Sequence, residues 1–580
     1  MALAHSARPR GSVTVARLLS PGRWVLIVVA FVSAVINLLM LASPIYMLQV
    51  FDRVLSSGSV ETLVSLTVIV GVAFLVLGML ESVRSRLFAR YAAWVEDRLG
   101  PEVLRASIDL RRSGQPQAPG SFRDLGRLRG FFSGQGIQPL FDAPWIPVFI
   151  AAIWILHPWL GILATGCCIV LIVLALLNEV VTRKPQAESA RAAAASSADT
   201  EAVIRNADVV QAMGLLPSMT ERWRRGSLDA SEGQTKAADR GSTVVGGSRF
   251  VRLFAQSAVL GLGAYLVLQA QLTPGGMIAA SILLGRGLAP VEQAIGSWRH
   301  VVAARLSHRR INALLAAAPA VGSYQTLPRL QGRLAMEGVT VMPPGQRTPD
   351  TPPILRGVSF AVEPGDVLGV VGASASGKTT LCRVLVGAWQ PFQGKIRLDG
   401  GELKHWNPAD LGPQIGYLPQ AVELFAGTVR DNIARFGVVD DDKVLAAARA
   451  ADVHDMILHL KDGYNSQIGE GGTALSAGQR QRLGLARAVY GDPRLLILDE
   501  PNANLDTQGE AALRRALDQA RDGGATVVMV THRPQILAHV TKILVLREGQ
   551  VESFGPRDDV LAQLRGPRAV PTAKAHGQGG

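Results

Sequence analysis

The sequence predicts an all-α, six-helix transmembrane domain fused to an α/β domain built around a phosphate-binding loop. Three observations carry that expectation. Long uninterrupted apolar stretches are concentrated in the first half of the 580 residues. From about Leu334 the pattern changes to short β-branched runs alternating with helical segments, as in VLGVVG at 367–372, LLILDE at 495–500 and TVVMVTH at 526–532. The first of these runs leads straight into GASASGKTT at 372–380, a glycine-rich turn with a lysine, set between a strand and a helix that opens at Thr379.

Composition agrees with a membrane protein of more than one domain. Single cores stop growing near about 250–300 residues, so a chain of this length needs at least two. A mean hydropathy of +0.23 beside 18% charged residues is high for a soluble protein. The net charge of +13 would suit nucleic acid, but the basic residues cluster between the apolar stretches. The positive-inside rule expects them there, so no nucleic-acid partner is expected. Cys167 and Cys168 lie within an apolar stretch and Cys382 follows the phosphate loop. They read as small buried hydrophobes, with no disulfide framework and no zinc site.

Along the chain, Arg8, Arg10, Arg17 and Arg23 precede an apolar run from Trp24 to Leu48. That run is too long for a secretory signal and ends in no small-residue cleavage site, so it reads as a retained first span. Five further stretches of spanning character lie near 62–82, 143–157, 159–181, 251–271 and 275–296. The third and fourth part at His157 and Pro158, the fifth and sixth at Gln271–Gly276. The loops 84–141 and 183–249 each carry about ten Lys or Arg, whereas the short connections carry almost none, so the long loops are expected to be cytoplasmic. Their Ala-rich and Arg/Glu-rich composition predicts helices that continue beyond the bilayer. The expected division is a cytoplasmic segment 1–23, a transmembrane domain 24–313, a linker 314–333, an α/β domain with a buried parallel sheet 334–565, and a disordered tail 566–580.

The phosphate loop offers Gly372, Ser374, Ser376, Gly377, Lys378, Thr379 and Thr380 as candidate nucleotide ligands. Its glycines let backbone N–H groups turn inward around a phosphate, Lys378 supplies charge to the β- and γ-phosphates, and Thr379 offers its hydroxyl to Mg²⁺. About 120 residues downstream, LLILDE ends in two acids. Asp499 is expected near the metal and Glu500 beside the attacking water of ATP hydrolysis.

Just before that strand stands LSAGQRQRLGLARAV at 475–489, and with it the second half resembles the ATP-binding cassette family. The resemblance implies that Ser476, Gly478 and Gln479 contact the γ-phosphate held by a second copy's phosphate loop. It implies that Gln420 of GYLPQ joins Asp499 and Thr379 around the metal, that Asp506 of NANLD belongs to the nucleotide site, and that His532 closes on the γ-phosphate. Two departures from the family stand out. Ala477 replaces the usual glycine of the signature, and Pro343 or Pro344 falls where an aromatic residue usually stacks on adenine.

A membrane half followed by one ATPase on the same chain resembles the family's exporters, and Glu470, in a Gly-Glu pair before the signature, would then face the membrane helices as a coupling residue. ASPIYMLQVFDRVLSSGSVETLVSLT at 42–67, ADVVQAMGLLP at 207–217 and the VMPPG departure are similar to the type I secretion subgroup serving proteases and repeats-in-toxin proteins. Membership implies a homodimer in the bacterial inner membrane, a periplasmic adaptor, an outer-membrane tunnel protein, and an unfolded protein substrate with an uncleaved C-terminal signal. Export of a lipid or small molecule, and a membrane ATPase scaffold that transports nothing, are the competing readings. Arg286, in the last apolar stretch, is costly in lipid at about 2.5–3.5 kcal/mol. It either lines the polypeptide path, or sits near an interface or pairs with Glu292.

Overall fold

The apolar stretches of the first half fold as helices much longer than a bilayer requires. The computed structural model describes residues 14–114, 120–134, 136–318, 329–345, 351–472, 474–503, 505 and 507–565, and these fall into two units. The first comprises helices α1 (Arg23–Leu39), α2 (Ala42–Gln49), α3 (Val60–Arg112, its last turn excepted), α4 (Ser121–Phe132), α5 (Ile146–Leu156), α6 (Pro158–Arg205), α7 (Ala207–Ala212), α8 (Leu216–Leu268) and α9 (Pro274–Ala317). About 20 residues cross a bilayer, whereas α3 has 53 residues and rises about 80 Å at 1.5 Å per residue. Six helical segments of the described chain are long and apolar enough to span. Large apolar side chains such as Val68, Val72 and Leu75 on α3 and Val173, Leu176 and Val180 on α6 stand exposed, as a lipid-facing surface requires.

The third and fourth spans separate at His157, whose extended backbone ends α5 and whose Nδ1 accepts a hydrogen bond from Trp159 N at 3.3 Å. Two features depart from the sequence expectation. A short helix, Val15–Leu18, already occupies part of the N-terminal segment. Helix α9 runs to Ala317, so the first residues of the expected linker are helical. Residues 319–328 and the tail 566–580 lie outside the described residues.

Polar ties between distant segments help to hold this unit, and two of them involve Asp142 and Asp52. Arg84 on α3 and Asp142, in the short helical turn Gln138–Asp142, form a buried ion pair of 2.8 Å. Asn37 on α1 donates to the same carboxylate oxygen at 3.1 Å and to Ser33 O at 2.8 Å. At the other tie the helix after α2 widens to a π-helical turn at Val50–Val54. Asp52 in that turn accepts from the Thr273 hydroxyl at 2.6 Å and from Gly275 N at 2.8 Å, capping the start of α9.

The pairing of Arg286 with Glu292 does not occur. Glu292 is engaged by Arg252 on α8 at 2.6 Å. Arg286 is exposed on α9, while its neighbours Gly287 and Leu288 are buried.

The second unit holds two sheets where the sequence predicted one. The predicted parallel sheet is present, with order β10-β9-β3-β8-β7-β6: β3 (Val367–Gly372), β6 (Ile415–Leu418), β7 (Leu495–Asp499), β8 (Thr526–Val530) and β9 (Lys542–Arg547) are parallel, and β10 (Gln550–Pro556) is antiparallel at the edge. Beside it lies an antiparallel sheet of order β2-β1-β4-β5, from β1 (Leu334–Val341), β2 (Leu355–Val362), β4 (Gln393–Leu398) and β5 (Gly401–Glu402). Helices α10 (Lys378–Leu385), α11 (Val429–Ile433), α12 (Asp441–Ala450), α13 (Ala477–Val489) and α14 (Thr507–Asp522) pack around the parallel sheet. Residues Ile108–Gln117 also belong to this unit: Arg112 Nε donates to Gly387 O at 3.0 Å, and Gln390 N to Arg112 O at 2.9 Å.

Candidate nucleotide site

Strand register gathers the chemistry at one edge of the parallel sheet. Val530 at the end of β8 pairs with Val370 on β3 and with Asp499 on β7, and Leu418 on β6 pairs with Leu498. The phosphate loop after β3, Gln420 after β6, Asp499 and Glu500 after β7 and His532 after β8 therefore all leave the carboxyl ends of neighbouring strands, where open α/β sheets bind ligands.

The phosphate loop closes on itself. Helix α10 starts at Lys378, one residue before the expected Thr379. Its cap, Gly377, has φ +99°, a conformation that L side chains rarely adopt. Lys378 is buried, and its Nζ donates to Gly372 O at 2.9 Å and Ala373 O at 2.8 Å. Ser376 is buried and its hydroxyl has no hydrogen-bond partner among the described residues, and Thr380 is buried behind it while Ser374 is exposed. An orphaned hydroxyl in a loop of inward amides is a ready donor to an anion.

Asp499 has no solvent exposure, and neither carboxylate oxygen is hydrogen-bonded among the described residues. Burial pushes its carboxyl above the ordinary value of 3.8. A buried carboxylate beside Thr379, whose hydroxyl opposes the upward shift, fits a hard cation such as Mg²⁺. Because the folded state disfavours the charged form, stability of the nucleotide-free chain falls as pH rises from the ordinary carboxylate range through the raised value. Asp499→Asn removes that penalty. The variant is expected to melt about 2–4 °C higher than the parent near neutral pH, with the difference vanishing in acid. A thermal-shift series in which the parent is never the less stable would mean the carboxylate is already satisfied.

Glu500 sits at φ +50°, a strained conformation for a residue with a side chain and one found at functional sites. The strain is held by Glu500 N donating to Val530 O at 3.1 Å. Its carboxylate accepts from Gln420 Nε2 at 3.1 Å and faces His532 Nε2 at 3.9 Å. Gln420 and His532 are exposed and Glu500 is half-buried, so the three groups meet where a solvent molecule can be held.

The signature residues stand apart from this cluster. Ser476 caps α13: its hydroxyl accepts from Gln479 N at 3.2 Å, and Gln479 Oε1 accepts from Ser476 N at 2.8 Å. Ser476 and Ala477 are exposed and Gly478 is half-buried. Among the described residues no hydrogen bond joins them to the phosphate loop of the same chain. Asp506 and the side chain of Glu470 lie outside the described residues. Sequence reasoning missed Gln481, which is buried and donates to Pro501 O at 3.3 Å, tying the signature helix to the residue after Glu500. Its polar side chain in the middle of an apolar helix face was the available signal.

Family models match both halves: an ABC transporter transmembrane region over residues 26–287 and an ABC transporter over residues 355–503. The type I secretion system ATP-binding protein PrsD of Rhizobium meliloti (strain 1021) is 41% identical over 546 residues, covering 93% of each chain. The chain belongs to the ATP-binding cassette transporters, among the type I secretion exporters. The toxin RTX-I translocation ATP-binding protein of Actinobacillus pleuropneumoniae is 28% identical, over 94% of this chain and 77% of the relative. A solved bacterial Atm1-family ABC exporter with ATP bound shares the fold, with TM-score 0.78 at 20% identity, over 93% of this chain and 96% of that one. This ABC exporter is thus a multi-pass membrane protein whose second unit binds ATP and couples its hydrolysis to transport.

Proposed function

We propose that this exporter is the inner-membrane motor of a type I secretion system, with its ATPase in the cytoplasm and an unfolded protein bearing a C-terminal signal as its cargo. In this reading residues 24–313 form the transport half and 334–565 the ATPase. The observation that carries the reading is the 41% identity to a type I secretion protein along nearly the whole of both chains. A periplasmic adaptor and an outer-membrane tunnel protein complete the route out of the cell.

Two copies of the chain sandwich two ATP molecules. One copy holds the phosphates with the loop amides, Lys378 and the hydroxyls of Ser376 and Thr379, and the other presents Ser476 and Gly478 at the positive end of its signature helix. The exposed cap of α13 and its lack of bonds to its own phosphate loop favour this arrangement. Thr379, Asp499 and Gln420 would hold Mg²⁺, which would supply neutralising charge to the phosphates when bound. Glu500 orients the attacking water and draws its proton, Gln420 holds the Glu500 carboxylate in place, and His532 stabilises the γ-phosphate. Asp506 belongs to the nucleotide site; product release then separates the copies, with Glu470 as the coupling residue toward the membrane helices. Arg286, exposed on α9, lines the polypeptide path.

Deleting the gene in the native host and comparing the proteins of the culture medium tests the cargo. Loss of one or a few proteins without N-terminal signal peptides, restored by the parent gene and not by a Glu500→Gln copy, is the expected result. An unchanged set of secreted proteins across growth conditions would leave the ATPase standing and point to a lipid or small-molecule cargo.

A further inference from the structure

The signature helix α13 presents its exposed cap Ser476 at one end, and at the other end its last carbonyls meet one guanidinium. Arg435 follows α11. Its Nε donates to Arg487 O at 2.9 Å and its Nη2 to Ala488 O at 2.9 Å, both in the last turn of α13. Its Nη1 donates to Gly412 O at 2.9 Å and Ile415 O at 3.0 Å, at the start of β6, the strand that ends just before Gln420. Four main-chain carbonyls from two elements thus converge on one side chain, and no carboxylate pairs with it among the described residues.

Three features show that this arrangement is built rather than incidental. Arg435 and Phe436 are successive non-glycine residues at φ +57° and +56°, a conformation strained for residues with side chains. That backbone turns the guanidinium back toward the sheet. The last carbonyls of a helix lack intrahelical partners and carry its negative end, so a cation there satisfies both. The cation is retained although burial depresses its basicity. Finally, α13 and β6 touch at two glycines. A Cβ on Gly416 would lie 2.2 Å from Ala488 O, and one on Gly484 would lie 2.7 Å from Val422 and 2.9 Å from Leu418. The helix, the strand and the loop to Gln420 therefore leave no room to slide over one another.

We infer that Arg435 is a positioning residue that locks the signature helix to the Gln420 strand, so that the group offered to the other copy's nucleotide and the group bound to Glu500 in its own site move as one body. The inference rests on the two-copy ATP sandwich proposed above. Nucleotide capture by the phosphate loop involves none of these contacts, whereas hydrolysis needs Ser476 and Gln420 set together.

The test uses the full chain in lipid nanodiscs. Arg435→Gln is expected to bind a fluorescent ATP analogue with a Kd within about twofold of the parent while kcat falls about 10- to 100-fold, since misplacing reacting groups by 1 Å costs about that much. In a Glu500→Gln background it is also expected to weaken ATP-dependent trapping of the closed dimer. Arg435→Lys, which keeps the cation with fewer donors, recovers part of kcat. Gly416→Ala, which keeps the guanidinium but pushes its acceptor Ala488 O off the strand, reproduces the loss. Should Arg435→Gln not accumulate in the membrane, Arg435→Lys and Gly416→Ala are read by the same measure. Unchanged kcat, or a fall in kcat matched by an equal loss of nucleotide affinity, overturns the inference and leaves Arg435 as a staple of the fold. If Glu500→Gln alone does not trap a dimer with ATP, the sandwich itself is wrong and the inference falls with it.

Discussion

Glu500→Gln lowers ATP turnover about 10²- to 10⁴-fold, the contribution of a positioned general base, and leaves nucleotide binding intact. The amide oxygen of the variant can still accept from Gln420 Nε2, which lies 3.1 Å from the native carboxylate, so the local structure persists while the proton acceptor is lost. Binding without turnover has a thermodynamic signature. ATP at a hundredfold excess over its Kd stabilises whatever state binds it by about 2.7 kcal/mol, and that increment persists in the variant because ATP is not consumed. The measurements are phosphate release and a thermal-shift titration on the same preparation. Turnover near the parent's rate would remove Glu500 from the chemistry and leave His532, 3.9 Å away, as the group to test next.

Breaking the Arg84–Asp142 pair has the second largest expected effect, on stability rather than rate. Arg84 is 4% exposed and Asp142 9%, so removal of one partner strands a buried charge at a cost of about 3–5 kcal/mol. Asp142→Ala is expected to lower the Tm by about 6 °C or more, at about 2 °C per kcal/mol. The double replacement Arg84→Met with Asp142→Leu is expected to be milder than either single change, because it removes both charges and leaves Asn37 its bond to Ser33 O. Simple additivity in that cycle would mean the pair is solvated in the bilayer-inserted protein and contributes little.

The nucleotide chemistry was legible because it is local. A phosphate loop needs a left-handed Gly377 and a lysine within six residues of the strand end, and LLILDE carries its acids at the end of an apolar run that could only be a buried strand. The antiparallel sheet was not legible, because β1 changes phase within itself. Leu334 and Met336 are buried, then Val339 and Val341, with a register shift between, so no single alternation runs through it. Long-range pairs were equally hidden. Glu292 selected Arg252 on the neighbouring helix over Arg286 six residues away in sequence, since six residues put two side chains on different faces of a helix. Arg435 gave no signal either, since a lone arginine beyond a short helix does not announce that four carbonyls await it.

The Asp52 cap on α9 joins residues 223 positions apart. A ribosome adding about 5–20 residues per second needs about 10–45 s to travel from one to the other. Through that interval the first helical pair waits in the membrane with its carboxylate unclaimed, and the cap forms only when the last span has entered. The tie therefore registers arrival of the last span rather than of the ATPase that follows it: a chain truncated before Thr273 leaves the Asp52 carboxylate without these partners.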